Sequence, residues 1–356
     1  MTRGTLWVVL FAGLAAQGMS QAQAPQAAEH YRAGQQLMEE RNYRRAATEL
    51  AQAVAVDSTY GEAYFALGQA YEVLDEYASA IAAFERAGRL DTMADRVALE
   101  LGTLHYKGGL TQYRERRYQE AVESFARALQ YQPKAARTHY AMGLCQSALR
   151  QTDQAEQSLR RAVDADTGFV RAYKALGDVQ RSRGEYAPAA RMYAKAIELD
   201  STFAEAYGGL AQVELETNDA EATVSLMRRA LRIEPRYADG YLLLGSALNR
   251  LGRQHEAVEP LGRAAEMAPR DAEVRYRLAE ALYGKGDDRR ALEEAQQAVA
   301  LRRDFHVAEV LLGDICQKLG QTSEARNWYA KGMQDSSLRD YARHKLQQLD
   351  EGAGRQ

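Results

Sequence analysis

The chain has 356 residues, of which 46% are apolar, 27% are charged and only six are proline. This is the composition of a globular protein that is long enough to bury a large core. Its 46 Lys and Arg residues against 49 Asp and Glu residues give a net charge of -3, which excludes a global attraction to nucleic acid or to anionic lipid.

Residues 1–22 predict a secretory signal peptide. Arg3 precedes the apolar run 6–16, and small residues and glutamines follow this run. A membrane anchor is the less favoured alternative, because the run is far shorter than the roughly 20 apolar residues that span a bilayer. We expect cleavage after Ser20 or Ala22, export to the periplasm or cell envelope, and no stable transmembrane span after cleavage.

A period of 34 residues runs through 27–339 and divides it into nine units, of which the third, 95–135, is seven residues longer than the rest. The eighth position of every unit holds a small residue, namely Gly34, Gly68, Gly102, Gly143, Gly177, Ala211, Gly245, Ala279 or Gly313. Alanine recurs at the twentieth position, as at Ala189, and at the twenty-seventh, as at Ala196. Because helices approach closely only where side chains are small, these positions predict helix crossings.

The fifth unit, 170–203, shows the pattern within one repeat. Leu176 and Gly177 lie in a first amphipathic helix, and Ala189, Tyr193 and Ala196 share one face of a second. Such a hairpin cannot bury its apolar face alone. It therefore predicts a stacked array of hairpins.

The small residues at positions 8, 20 and 27, and an aromatic residue at position 24 of several units, resemble the tetratricopeptide repeat. Those aromatic residues are Phe84, Phe125, Tyr193 and Tyr329. The resemblance covers 27–339 and implies an all-α fold, a right-handed superhelical solenoid of about nine stacked helical hairpins.

Residues 338–350 predict a capping helix over the last hairpin, followed by a tail at 351–356. One face of this helix has apolar and amphipathic residues at i, i+3, i+4 spacing, namely Leu338, Tyr341, Ala342, Lys345, Leu346 and Leu349. A terminal repeat needs such a cover, since its apolar face has no further neighbour.

The seven additional residues of the third unit are placed around Tyr106 to Tyr113, in the sequence YKGGLTQY. Because seven residues are about two helical turns, a longer first helix with a weak point at Gly108 and Gly109 fits the pattern. A glycine-containing loop fits it equally. Either form is expected to project from the array, as a contact site or as an insertion without a role.

The sequence indicates no catalytic, cofactor or metal site. The six His residues are scattered, and the sequence contains no HExxH, paired CxxC or GxSxG motif. Cys145 and Cys316 lie about five repeats apart, so at roughly 10 Å per helix diameter they are too distant for a disulfide. Both are predicted to be buried small apolar residues, and the protein is predicted not to be an enzyme.

The resemblance implies a concave surface lined by positions 2, 5, 9 and 12 of each first helix. These positions are acidic near the ends of the array, as at Glu62 and Glu273, and basic with tyrosines in the third to fifth units. The predicted peptide-binding groove comprises Tyr106, Arg137, Tyr140, Arg171, Lys174, Asp178 and Arg181. The four of these residues that belong to the fifth unit are not expected to be needed for packing, namely Arg171, Lys174, Asp178 and Arg181. A merely solvated helix surface is the alternative.

Two functions fit these observations. The first is a scaffold of the bacterial cell envelope that binds a peptide or protein partner, with an acidic segment of that partner against the basic stretch. The second is a periplasmic binding or chaperone-like module that recognises a glycan or another nonprotein ligand through its tyrosines.

Overall fold

A computed structural model describes residues 20–90 and 93–353. The signal peptide predicted for residues 1–22 lies almost entirely outside these ranges, as does the end of the predicted tail. Within them the structure consists of helices and turns without strands, which confirms the predicted all-α class. No helix of the described ranges is long and apolar enough to cross a membrane.

The described residues form 19 helices, which pair in sequence as nine hairpins and leave one helix at the end. Odd-numbered helices α1 to α17 are the first helices of hairpins 1 to 9, and even-numbered helices are the second helices. The helices are α1 (Ser20–Glu39), α2 (Tyr43–Val56), α3 (Gly61–Val73), α4 (Tyr77–Arg89), α5 (Ala94–Arg114), α6 (Tyr118–Tyr131), α7 (Ala136–Ala148), α8 (Thr152–Ala165), α9 (Val170–Ser182), α10 (Tyr186–Leu199), α11 (Ala204–Glu216), α12 (Ala220–Ile233), α13 (Ala238–Arg250), α14 (Gln254–Met267), α15 (Ala272–Lys285), α16 (Asp288–Leu301), α17 (His306–Lys318), α18 (Thr322–Gly332) and α19 (Arg339–Ala353).

The chain forms two compact units, Met1–Phe169 and Val170–Gln356. Hairpins 1 to 4 belong to the first unit, and hairpins 5 to 9 with α19 belong to the second. Inside each unit every helix packs against the next one along the chain. First helices also touch one another directly, as α1 touches α3 and α13 touches α15, so they form shared surfaces within each unit.

The eighth-position glycines lie where the two helices of a hairpin meet. A Cβ atom added to Gly177 would lie 2.8 Å from the ring of Tyr193, which stands sixteen residues later. The same relation holds in six hairpins, between Gly34 and Leu50, Gly68 and Phe84, Gly143 and Leu159, Gly177 and Tyr193, Gly245 and Leu261, and Gly313 and Tyr329. These glycines therefore leave the space that the large side chain opposite fills.

The third hairpin has a different register from the predicted one. A Cβ atom on Gly109 would lie 2.6 Å from the ring of Phe125, whereas one on Gly102 would meet the side chain of Gln132 instead. The prediction that Gly102 is the packing glycine of this hairpin is therefore wrong, and Gly109 has that role. The turn agrees, because every hairpin turn has a residue with positive φ seven positions after this glycine or alanine, and here it is Arg116.

The additional residues of the third unit form helix rather than loop. Helix α5 has 21 residues, whereas the first helices from α3 to α17 otherwise have 13 or 14. Its first half packs on hairpin 2, where Val97, Leu101 and Leu104 join a buried cluster with Phe84. Its second half packs on α6 through the contact of Gly109 with Phe125. The two interfaces of α5 are thus displaced along one helix by about two turns, or roughly 10 Å.

Helix α19 covers the last hairpin as predicted for a capping helix. Ala342 and Leu349 are buried against the end of the second unit, and Leu338 and Leu346 are partly buried beside them. The cap is therefore held first by apolar packing on the face that the spacing indicated.

Polar contacts add to this packing at Asp314 of α17. Its carboxylate accepts hydrogen bonds from the hydroxyl of Tyr329 at 2.8 Å and from that of Tyr341 at 2.9 Å. Lys345 of α19 forms an ion pair with the same carboxylate at 3.3 Å. Asp314 thus links α18 and α19 to the first helix of the hairpin.

Candidate functional site

The predicted groove residues are divided between the two units. Tyr106, Arg137 and Tyr140 lie on α5 and α7 of the first unit, and the other four lie on α9 of the second unit.

Three of the four residues on α9 make contacts inside the protein. Lys174 donates to Asp178 at 2.8 Å, and Arg181 forms an ion pair with Glu216 of α11 at 3.0 Å. Tyr193, the ring that fills the space beside Gly177, donates its hydroxyl proton to Asp178 at 2.8 Å. The expectation that these residues are not needed for packing is therefore wrong for Asp178.

The bond between Asp178 and Tyr193 is a structural feature that recurs. Hairpin 9 has the same pair at the same two repeat positions, Asp314 and Tyr329, at 2.8 Å. Burial and the neighbouring carboxylate raise the pKa of Tyr193, so the phenol stays a hydrogen-bond donor at all physiological pH values. Asp178 is consequently occupied in holding two helices together.

Arg137 and Arg171 are the predicted groove residues that remain available. Both occupy the second position of a first helix, and both side chains are exposed. Neither has an ion-pair or hydrogen-bond partner among residues 20–90 and 93–353. Their charges are therefore free to meet a carboxylate from outside the chain.

The predicted tyrosines are partly built into the core. The ring of Tyr106 lies 5.8 Å from that of Phe125, and the ring of Tyr140 lies 4.9 Å from that of Phe169. The Tyr140 pair joins the fifth position of its unit to the last position, as do the pairs of Tyr31 with Tyr60 and of Tyr276 with Phe305. We did not predict these last-position aromatic residues from the sequence, although Tyr60, Phe169 and Phe305 occupy the same position of the 34-residue repeat.

The acidic positions predicted near the end of the array are partly neutralised. Arg277 of α15 donates to Glu273 at 2.9 Å and to Glu280 at 3.3 Å. This face of the second unit therefore attracts cations less strongly than its carboxylates suggest.

A cleft that we did not select from the sequence lies in the first unit, between α1, α3 and the start of α5. We call it the N-terminal cleft, and its volume is about 390 Å³. It is lined by Tyr31, Gln35, Met38, Glu39, Glu62, Phe65, Ala66, Gln69, Met93 and Arg96. Several of these residues occupy positions 2, 5, 9 and 12, but their repeat positions alone did not show that they enclose one volume.

Arg96 lies at one end of the N-terminal cleft. Its guanidinium carbon is 4.5 Å from the centre of the Phe65 ring, and it donates to the sulfur of Met93 at 3.4 Å. Within the described part of the chain, Arg96 forms no ion pair shorter than 4 Å, although its charge acts on the carboxyl group of Glu100. Burial and the charge of Glu62 raise the pKa of Tyr31.

The described residues contain no group of three or more His, Cys, Asp or Glu side chains that could hold a metal ion. Cys145 and Cys316 are buried and unbridged, as predicted. Burial raises the pKa of each thiol to about 11, so both stay protonated and weakly nucleophilic at neutral pH.

Comparison with models of protein families shows to which family this chain of helical hairpins is related. Family models of the tetratricopeptide repeat match residues 31–92, 112–178, 174–238, 209–272 and 242–304. The chain belongs to the tetratricopeptide repeat family. Proteins with these TPR units are generally non-enzymatic interaction scaffolds that bind protein or peptide partners.

Solved TPR structures resemble this chain in fold. A TPR protein from Parabacteroides merdae is 14% identical with a TM-score of 0.52, and the match covers 70% of this chain and 99% of that one. The C-terminal part of a TPR repeat-containing protein from Cytophaga hutchinsonii is 13% identical with a TM-score of 0.51, covering 68% and 99%. No curated protein matches the sequence.

Proposed function

We propose that this TPR protein is a scaffold that binds a peptide or protein partner on the surfaces of its first helices, with acidic residues of the partner against Arg137 in the first unit and, separately, against Arg171 in the second unit. The observation that carries the proposal is that both guanidinium groups are exposed and have no ion-pair partner among the described residues. Lys174 and Arg181, which have the same charge, are already paired.

The position of these two arginines supports a role in binding. Arg137 and Arg171 do not fill the hairpin interiors, which the small residues and the side chains opposite them occupy. Arginine is enriched in protein interfaces because its planar group can bind a carboxylate through two parallel hydrogen bonds. A partner that supplies carboxylates would satisfy both groups without breaking a contact within the chain.

Charge reversal tests this proposal. We expect the double variant Arg137→Glu with Arg171→Glu to bind the partner at least about tenfold more weakly, because attraction becomes repulsion at two sites. The partner is first identified by crosslinking in the native compartment. Its affinity for the purified full chain is then measured by calorimetry.

A matched control makes the same change of charge on the second helices of the same hairpins. Arg161 of α8 and Arg191 of α10 are exposed and lie away from the first-helix surface. We expect Arg161→Glu with Arg191→Glu to keep the affinity within about twofold. Equal losses in the two double variants, or no loss in either, would contradict the proposal.

The alternative of a glycan-binding module is less well supported. Sugars stack on open faces of aromatic rings, but Tyr106 and Tyr140 each pack against a neighbouring ring. We therefore favour a protein partner.

We also propose that the protein is exported, on the basis of the charged and apolar pattern of residues 1–22. Both expected cleavage points precede Ala27, so cleavage leaves all nine repeats intact. We expect mass spectrometry of the cell-envelope fraction to find a mature N-terminus at residue 21 or residue 23. Recovery of the chain only in the cytoplasm, with residues 1–22 retained, would contradict export.

A further inference from the structure

We propose that the N-terminal cleft binds a peptide segment in which a large apolar side chain stands next to a carboxylate. This inference rests on the proposed function and names a ligand class for it. It places the contact in hairpins 1 and 2 and at the start of α5.

The floor of the cleft is apolar. Phe65 is 4% exposed and Ala66 is 8% exposed, and Met38 and Met93 are partly buried beside them. A volume of about 390 Å³ accommodates one large side chain with the adjoining main chain. Methionine side chains adapt to irregular apolar ligands, so we expect an apolar residue of the peptide to enter here.

The charges around the floor determine where a carboxylate can bind. Arg96 stacks on Phe65 and forms no ion pair shorter than 4 Å in the described part of the chain, where its charge acts on Glu100 only at longer range. The edge of its guanidinium group can therefore donate hydrogen bonds to a carboxylate of the peptide. Glu39 and Glu62, which also line the cleft, would repel a carboxylate. An acidic residue of the peptide is therefore expected at the α5 end, directly beside the apolar residue.

Two amide side chains face the remaining part of the peptide. Gln35 of α1 and Gln69 of α3 occupy the same repeat position, and both line the cleft. The amide of Gln35 donates to the hydroxyl of Tyr31 at 2.7 Å, which orients it and leaves its carbonyl oxygen able to accept. Such amides suit the N–H and C=O groups of an extended main chain, which every peptide sequence offers.

The test uses three fluorescein-labelled peptides of ten residues, with a Phe-Glu, Phe-Lys or Ala-Glu pair in the middle of a Gly and Ser sequence. Their binding to the purified full chain is measured by fluorescence anisotropy. We expect the Phe-Glu peptide to bind at least about tenfold more tightly than the other two. Binding of all three peptides with the same affinity would overturn the proposal.

Variants of the chain then test the assigned residues. We expect Arg96→Glu to reverse the preference, so that the Phe-Lys peptide binds more tightly than the Phe-Glu peptide. Arg32→Glu makes the same change of charge at an exposed site on α1 outside the cleft lining, and should keep the preference. Gln35→Trp, which fills the cleft without changing charge, should weaken both Phe peptides by about tenfold. An unchanged preference in Arg96→Glu would overturn the proposal.

The outcome is distinguishable from failure of the proposed function. If the native partner depends on Arg137 and Arg171 but not on Arg96, the assignment of the N-terminal cleft fails and the scaffold function stands. If the double variant at Arg137 and Arg171 binds the partner normally, the proposed function fails regardless of what the peptides show.

Discussion

Replacing Gly109 with alanine is expected to lower the free energy of unfolding by about 1–3 kcal/mol, because the new methyl group overpacks a filled contact. The added Cβ atom would lie 2.6 Å from the ring of Phe125, which is completely buried, so the surrounding core must shift to make room. Urea denaturation followed by circular dichroism measures the loss, and hydrogen exchange in α6 shows where it arises.

Gly108 is the control for this experiment, since it is the preceding residue of the same helix. A Cβ atom at Gly108 would have no neighbour within 4 Å. We expect Gly108→Ala to raise the free energy of unfolding by up to about 1 kcal/mol, through the better helix propensity of alanine. Gly102→Ala should have a smaller effect than Gly109→Ala, because the Gln132 side chain that it meets is flexible. The reverse order of Gly102 and Gly109 would support the originally predicted register.

Replacing Asp314 with alanine is expected to lower the free energy of unfolding of the second unit by about 2–3 kcal/mol. The side chain of Asp314 is only 14% exposed, and its carboxylate accepts from Tyr329 and Tyr341 and pairs with Lys345. Its loss removes two contacts that hold α19, from Tyr341 and Lys345, and one that holds α18, from Tyr329. Hydrogen exchange across 339–353 should accelerate more than exchange in the preceding helices.

The matched control is Asp340→Ala, which removes a carboxylate from α19 itself. Asp340 is 93% exposed and pairs with Arg343 at 3.0 Å. We expect this change to alter stability by less than about 0.5 kcal/mol. If both substitutions leave exchange in α19 unaltered, the apolar residues Ala342 and Leu349 hold the cap without help from Asp314.

The hairpins could be predicted because small residues mark helix crossings at a constant period. The register of the third hairpin could also have been predicted from the sequence. Gly109 stands twelve residues before Ala121, and twelve residues separate positions 8 and 20 in the other units. Counting from the start of the unit instead selected Gly102. Two turns of helix preserve the face, so both glycines satisfy the same pattern.

The candidate site was less predictable, because its contacts join separate helices. The spacing of Lys174 and Asp178 allows an ion pair within one helix, but the bond from Tyr193 depends on how α10 lies against α9. The N-terminal cleft likewise needs the relative positions of three helices. Repeat positions identify the face on which a residue lies, and packing decides whether that face encloses a volume.

The two-turn displacement within α5 determines how many residues must separate two contact points in an extended peptide that binds the first unit. Seven residues fall about 20° short of two full turns, so the faces stay aligned while hairpin 4 of the same unit shifts by roughly 10 Å. An extended peptide advances about 3.3 Å per residue, so this offset equals about three residues of ligand. A bipartite motif that contacts both Arg96 and Arg137 would therefore need a spacer longer, by at most about three residues, than the spacer that a regular array requires.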